Sequence, residues 1–565
     1  MKCRLLPGSA AFALAVLSAC SAQRTETEPQ RLAPTSTVAQ PPGEPKAEER
    51  VDTAASVGAQ ASGYMTQKRM MAPAAVADFY MPTPPPEDRE NYGHFDSSPL
   101  QRVAEHPVST FSIDVDAGSY ANIRRILREG RMPPSDAVRV EEMVNYFDYA
   151  YTPPRDPSTP FALNAEIAPT PWNAKTHLLR VGIQGWKPQG PRMPSNLVFL
   201  VDVSGSMDEP DKLPLVKSSL KLLTRQLSKD DHISLVVYAG ASGVVLEPTP
   251  GDKAAQIDAA LDRLQAGGST NGASGIQLAY AMAKQAFIKN GNNRVLLATD
   301  GDFNVGVVNF EQLLDLVKNE RKSGVALTTL GFGTGNYNDH LMEQLADAGQ
   351  GNYAYIDSLS EAQKVLVDQR DATLRTIAGD VKIQIEFNPA AVAEYRLIGY
   401  ENRMLKREDF NNDQIDAGEI GAGHRVTALY EIALAGSGGE RVNPLRYAHD
   451  EKVQAGNQEL ALLRLRYKKP EDGVNAGSKL IEQVLRAQDI KPDISGTSDS
   501  FRFAAAVAGF GQILRGGAYT GRFGYAETEA LARGARGADA RGYAGEFLQL
   551  VALADSLSHR AAAQE

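Results

Sequence analysis

Cysteine is nearly absent from these 565 residues: Cys3 and Cys20 are the only two, both close to the amino terminus. A disulfide framework within the body of the chain is therefore excluded. Histidine is scarce as well; the eight are scattered with no pair at metal-ligand spacing, so zinc hydrolysis has no support. There is no glycine-rich phosphate cradle. Ser204, in Ser-Gly-Ser, makes no nucleophile elbow and has no histidine assignable as its base. Leu5 to Leu17 is mostly apolar but too short to span a bilayer as a helix. Positive charge is in deficit, with a formal net charge of −10, which opposes a nucleic-acid footprint. What remains is the composition of an ordinary soluble protein, long enough for several domains.

The amino terminus carries its own signal. Lys2 and Arg4 precede the Leu5–Leu17 run, which ends in Leu17-Ser18-Ala19-Cys20. This arrangement resembles a bacterial lipoprotein signal, which implies that residues 1–19 are removed and that Cys20 is acylated. Several acyl chains on one residue hold a protein stably, where a single chain binds reversibly. Ser21, in place of Asp, resembles the sorting pattern of outer-membrane lipoproteins. The expected location is the bacterial cell envelope, lipid-anchored at the outer membrane. Residues 20–99 are rich in Pro, Ala, Thr, Gln and Glu without sustained periodicity, and form the expected disordered tether. Roughly 75 flexible residues would span about 50 Å.

Residues 100–192 are expected to form an α+β flanking domain. It has a strand from Phe111, helices over Tyr120–Glu129 and Ala137–Tyr149, and β segments over Phe161–Ile167 and His177–Gln184. Residues 193–376 alternate strands and helices with short connections, the pattern of a doubly wound, mostly parallel α/β sheet. Gly243–Glu247 is expected to form an edge hairpin, and Glu361–Leu374 one closing helix. Residues 377–565 turn β-rich and then helical. Val381, Ile383, Ile385 and Phe387 alternate with polar residues, as do His424–Leu434 and Leu462–Tyr467. The β segments on either side of the α/β unit are expected to pair, making that unit an insertion into a β sandwich.

The chemistry gathers at one stretch. Leu197 to Val201 is an unbroken apolar run, as in a buried central strand, and it leads into Asp202, Ser204 and Ser206. Past a strand end, alternate side chains can converge. A carboxylate with two hydroxyls is hard-cation chemistry, suited to magnesium, manganese or calcium rather than zinc. Asp202-Val-Ser-Gly-Ser206, Thr270 within Gly267-Gly-Ser-Thr-Asn271, and Thr299-Asp300-Gly301 together resemble the metal-ion-dependent adhesion site of the von Willebrand factor A family. The flanks, including Phe111-Ser-Ile-Asp-Val-Asp116 and Asp416-Ala-Gly-Glu-Ile-Gly421, resemble a bacterial lipoprotein subgroup of it. The resemblance implies that Asp202, Ser204, Ser206, Thr270 and Asp300 hold a divalent cation, with magnesium the first expectation and manganese or calcium the alternatives. It also implies an open coordination position that a partner protein's Asp or Glu completes.

Two further motifs compete for a role. Asp114-Val-Asp116-Ala-Gly-Ser119 resembles the opening of haloacid-dehalogenase phosphatases, but the residues after it lack that fold's succession; a helix-capping turn is the expectation. Asp409, Asp413, Asp416 and Glu419 hint at a calcium loop. Gln414 stands where such a loop needs glycine, and Ile420 where it needs the bidentate glutamate, so a solvated turn is expected. The functional expectation is a non-enzymatic lipoprotein that binds a protein partner through its metal site. An accessory or scaffold subunit of an envelope complex is the alternative, and a metal-dependent hydrolase stands third.

Overall fold

A computed structural model describes residues 89–156, 158–188, 192–301, 309–445, 458–472 and 476–562. The lipoprotein signal, Cys20 and most of the tether lie outside the described residues.

The chain opens with β1 (Gln101–Arg102) and β2 (Val108–Ser112), then helices α1 (Gly118–Arg128) and α2 (Val140–Asn145), then the long strands β3 (Phe161–Thr170) and β4 (Asn173–Gly185). An α/β unit follows, with β5 (Ser195–Asp202), α3 (Leu213–Thr224), β6 (His232–Tyr238), β7 (Ser242–Pro250), α4 (Ala254–Asp262) and α5 (Gly272–Gln285). It continues through β8 (Asn292–Thr299), α6 (Phe310–Glu320), β9 (Ala326–Gly331), α7 (Asp339–Ala348), β10 (Tyr353–Tyr355), α8 (Leu359–Gln363) and α9 (Arg370–Leu374). The remainder supplies β11 (Thr376–Phe387), β12 (Val392–Ile398), β13 (Gly418–Gly421), β14 (Arg425–Leu434), β15 (Glu459–Lys468), β16 (Lys479–Arg486) and helices α10 (Asp499–Leu514), α11 (Tyr525–Arg533) and α12 (Tyr543–Ala562).

Strands from both sides of the α/β unit lie in the same sheets. One sheet runs β1-β12-β14-β4-β3; the other runs β13-β11-β15-β16, with β2 also paired to β11. Val181 and Ile183 of β4, Val426 and Tyr430 of β14, and Ile383, Ile385 and Leu463 of the opposite sheet share one buried core. This is the sandwich into which the α/β unit is inserted. The outer face of the first sheet is covered in turn: Ala168, Leu178, Ile398 and Leu429 pack with Met143, Phe147, Phe510, Phe547 and Val551 of the helices and their flanks. That cover explains a departure from the sequence pattern. β14 alternates like a half-buried strand, yet Thr427 and Glu431 on its polar side are buried. Glu431 is compensated by hydrogen bonds from Trp172 Nε1, Thr176 and Arg396.

Within the inserted unit the sheet order is β10-β9-β8-β5-β6-β7, parallel except for the edge strand β7. The edge hairpin expected over Gly243–Glu247 is thus present. Every residue of β5 is buried because helices cover both faces. The single helix expected over Glu361–Leu374 is instead broken by a π turn at Lys364–Asp368. The buried Lys364 uses that turn to donate to the Tyr146 carbonyl at 3.0 Å.

Candidate metal centre

The chain runs outward from β5 to β6 and β7, then returns to place β8 on the other side of β5. The sheet therefore has its switch point between β5 and β8, where open α/β sheets hold ligands beyond the carboxyl ends of their strands. Asp202 ends β5 and Asp300 follows the last residue of β8.

Each carboxylate is fixed by its surroundings. Asp202 is fully buried; its Oδ1 accepts from the Ser204 amide and its Oδ2 from the Thr299 hydroxyl, both at 2.8 Å. Thr299 Oγ1 also accepts from the Gly301 amide at 3.1 Å, so one hydroxyl ties the two strand ends together. Burial pushes the Asp202 carboxyl up, the Ser204 bonds pull it back, and the nearby Asp300 adds to the rise. Asp300 is also fully buried, and its Oδ2 accepts from Lys212 Nζ and from Asn336 Nδ2, each at 3.0 Å.

Two of the three hydroxyls meet beside Asp202. Ser204 Oγ and Ser206 Oγ are 3.1 Å apart. Thr270, half-buried, sits in the loop before α5, and that loop is stitched to the Asp202–Ser206 turn. Gly205 N donates to Gly268 O at 3.1 Å and Gly267 N to Val203 O at 2.8 Å. All five sequence-expected residues thus lie on three joined loops at one end of the sheet. The donor set fits a hard divalent cation, because cis ligands on octahedral magnesium lie about 3 Å apart when metal–oxygen distances are about 2.1 Å. A cation would also relieve two mutually repelling buried carboxylates.

Sequence reasoning missed Lys212 and Asn336. Lys212 lies just before α3, and Asn336 lies in the loop after β9; neither belongs to a strand-end pattern. The same loop is held from outside. Arg89 N donates to Gly335 O and Asn91 N to Tyr337 O, both at 2.8 Å, while Gly335 N donates to Glu90 Oε1 at 3.0 Å.

The other two motifs have structural partners. Asp114 is buried, accepts from the Asp116 amide at 2.8 Å and lies 3.4 Å from Arg403 Nε. Arg403 also pairs with Asp116, Glu343 and Asp347, and Arg139 pairs with Glu142, Asp339 and Glu343. In the would-be calcium loop, Asp409 caps its own turn through the Lys406 amide, Asp413 accepts from the Ser478 amide and Asp416 pairs with Arg321.

Three family models match the chain. The von Willebrand factor type A domain matches residues 196–369, a von Willebrand factor segment matches residues 86–180, and "Uncharacterized protein YfbK, C-terminal" matches residues 372–557. Escherichia coli (strain K12) YfbK is 48% identical over 476 residues, covering 83% of this chain and 81% of YfbK. Inter-alpha-trypsin inhibitor heavy chain H3 of Homo sapiens is 27% identical over 267 residues, 44% of this chain and 29% of that protein. A solved von Willebrand factor type A structure from Catenulispora acidiphila aligns at 16% identity with a TM-score of 0.39, covering 69% of this chain and 89% of that one. Domains of the A type serve protein–protein interaction. The chain belongs to the family of Escherichia coli YfbK, and its own von Willebrand factor type A unit stands between the segments that the other two family models match.

Proposed function

We propose that the protein captures an acidic side chain of a partner protein at a divalent cation held by Asp202, Ser204, Ser206, Thr270 and Asp300, and that acylation of Cys20 keeps it on the bacterial outer membrane. The observation that carries this reading is the 3.1 Å approach of Ser204 Oγ to Ser206 Oγ beside the buried Asp202. A bound magnesium ion, or manganese or calcium in its place, would supply a positive centre with a coordination position for the partner's carboxylate. Ser204, Ser206 and Thr270 offer neutral oxygens, so they hold a cation without quenching its charge. Asp202 and Asp300 are oriented in advance by Thr299 and Asn336, which reduces the ordering that binding would otherwise require.

Calorimetric titration of the purified full chain with magnesium and manganese tests the site. Binding is expected in the wild type and lost in Asp202→Ala; no binding, or binding unchanged in that variant, overturns the proposal. Radiolabelled palmitate fed to cells tests the anchor, with label expected on the wild type and absent from Cys20→Ser. Cross-linking in cells with and without chelator, read by mass spectrometry, identifies the partner as a protein whose capture needs the metal.

A further inference from the structure

Lys212 brings a positive charge into a pocket whose chemistry calls for a cation. Its side chain is 6% exposed, and Nζ lies 3.0 Å from Asp300 Oδ2 and 2.8 Å from Asn336 Oδ1. A lysine is a flexible stem with a strongly hydrated head, and it normally turns that head to water. Here the burial is built in. Gly333, at φ +79°, lies along the stem, and any side chain at that position would collide with Lys212. The Gly333 carbonyl is in turn held by the Tyr355 hydroxyl at 2.7 Å. A glycine channel, an amide clamp and a carboxylate all serve to keep one ammonium beside the donor set.

The charge count gives this a consequence. Asp202 and Asp300 contribute two negative charges and Lys212 one positive charge, while Ser204, Ser206 and Thr270 contribute none. These six side chains together therefore carry one net negative charge. Against a divalent cation they fall short of neutrality by a full charge; the same donors without the lysine would reach neutrality. In a buried site that difference acts at low screening and is large.

We infer that Lys212 makes cation and acidic ligand bind together: it weakens retention of the cation alone and strengthens capture of a carboxylate beside it. This rests on the metal-site reading above. By linkage, a carboxylate tightens cation binding by the same factor as the cation tightens carboxylate binding. The site would then hold its metal firmly only in the engaged state. A purely structural lysine would do otherwise, since its loss would weaken both ligands alike.

Manganese and acetate are suitable probes, on the purified full chain in detergent micelles. Manganese binding is followed by electron paramagnetic resonance, and acetate by manganese-induced relaxation of its methyl protons. In the wild type, saturating acetate is expected to tighten manganese binding roughly tenfold, an electrostatic effect of one charge in a buried site. In Lys212→Met, manganese alone is expected to bind roughly tenfold tighter, and the acetate effect to shrink toward none. Lys212→Gln gives the same readings should the methionine variant fail to fold. Equal or weaker manganese binding in the variants, or an undiminished acetate effect, overturns the inference. So does a wild type that binds manganese without any acetate effect, which leaves the metal site itself standing. A wild type that binds no manganese removes the metal-site reading and this one with it.

Discussion

The amide of Asn91 donates to the carbonyl of Tyr337 at 2.8 Å, which lays the first described segment of the chain along the loop that braces Asp300. Asn91→Pro removes that donor and leaves the Tyr337 carbonyl without it. The expected cost is about 1–3 kcal/mol of stability. Hydrogen exchange followed by mass spectrometry should show faster exchange of the amides over 335–339, while the sandwich strands stay protected. Unchanged protection of this loop would show that the segment does not brace it.

Arg403 gathers Asp114 and Asp116 from the turn after β2 with Glu343 and Asp347 from α7. Removing one member of a buried charge network strands the others. Arg403→Met is therefore expected to destabilise the protein by about 3–5 kcal/mol, measured by urea denaturation. A loss below about 1 kcal/mol, the worth of an exposed pair, would mean that solvent reaches Asp114, Asp116 and Glu343, the buried members of the group.

Glu141 gives a pH dependence. Burial, then the charges of Glu401 and Asp114, raises its carboxyl from 4.5 to about 8. A carboxyl that holds its proton more tightly in the folded chain than in the unfolded chain favours folding at low pH. Its contribution is most favourable below the unfolded value and is lost as pH rises toward the folded one. The melting temperature of the wild type should thus carry a component that falls between about pH 5 and pH 8. Glu141→Gln should flatten that component and melt above the wild type at about pH 8; a parallel pH profile would contradict the assignment.

Gly301 takes φ +78° immediately after Asp300, and a Cβ there would lie 2.7 Å from the Asn338 amide nitrogen. Gly301→Ala is therefore expected to push back the loop that carries Asn336. Manganese affinity should fall about tenfold or more, since the brace on Asp300 is lost at a cost of about 1–3 kcal/mol. Calorimetry on the variant beside the wild type checks this, and equal affinities would show that the loop does not position Asp300.

The central strand and its two strand-end aspartates are legible in the sequence because they follow local rules, an apolar run ending in Asp202 and a second strand ending at Thr299 and Asp300, whereas Thr270 and the grouping of five donors rest on the resemblance to the von Willebrand factor A family. The sandwich is partly legible from the alternation in β11 and β14. β12 and β16 give no comparable signal. Strand β16, Lys479–Arg486, lies at the sheet edge, and its charges fall among its apolar residues without clean alternation. Lys212 and Asn336 escape because nothing in their own neighbourhoods marks them; only the packing of α3 on the sheet and of β9 beside β8 brings them to Asp300. The break at Lys364 escapes for a similar reason, since the bond made there, to the Tyr146 carbonyl, is tertiary.

The insertion also bears on how the chain folds. β1 must find β12 almost three hundred positions away, and β4 must find β14 across the whole inserted unit. Yet the two connections to that unit meet, because a Cβ on Gly185 would lie 3.1 Å from Ile377 Cδ1. The entropy of closing a loop of roughly 190 residues is avoided if that loop is already a folded body with its ends side by side. The A unit, built from neighbouring strands and helices, then serves as an internal template. A variant that slows its folding should delay the sandwich as well, and the halves of the sandwich should fail to find each other before it is complete.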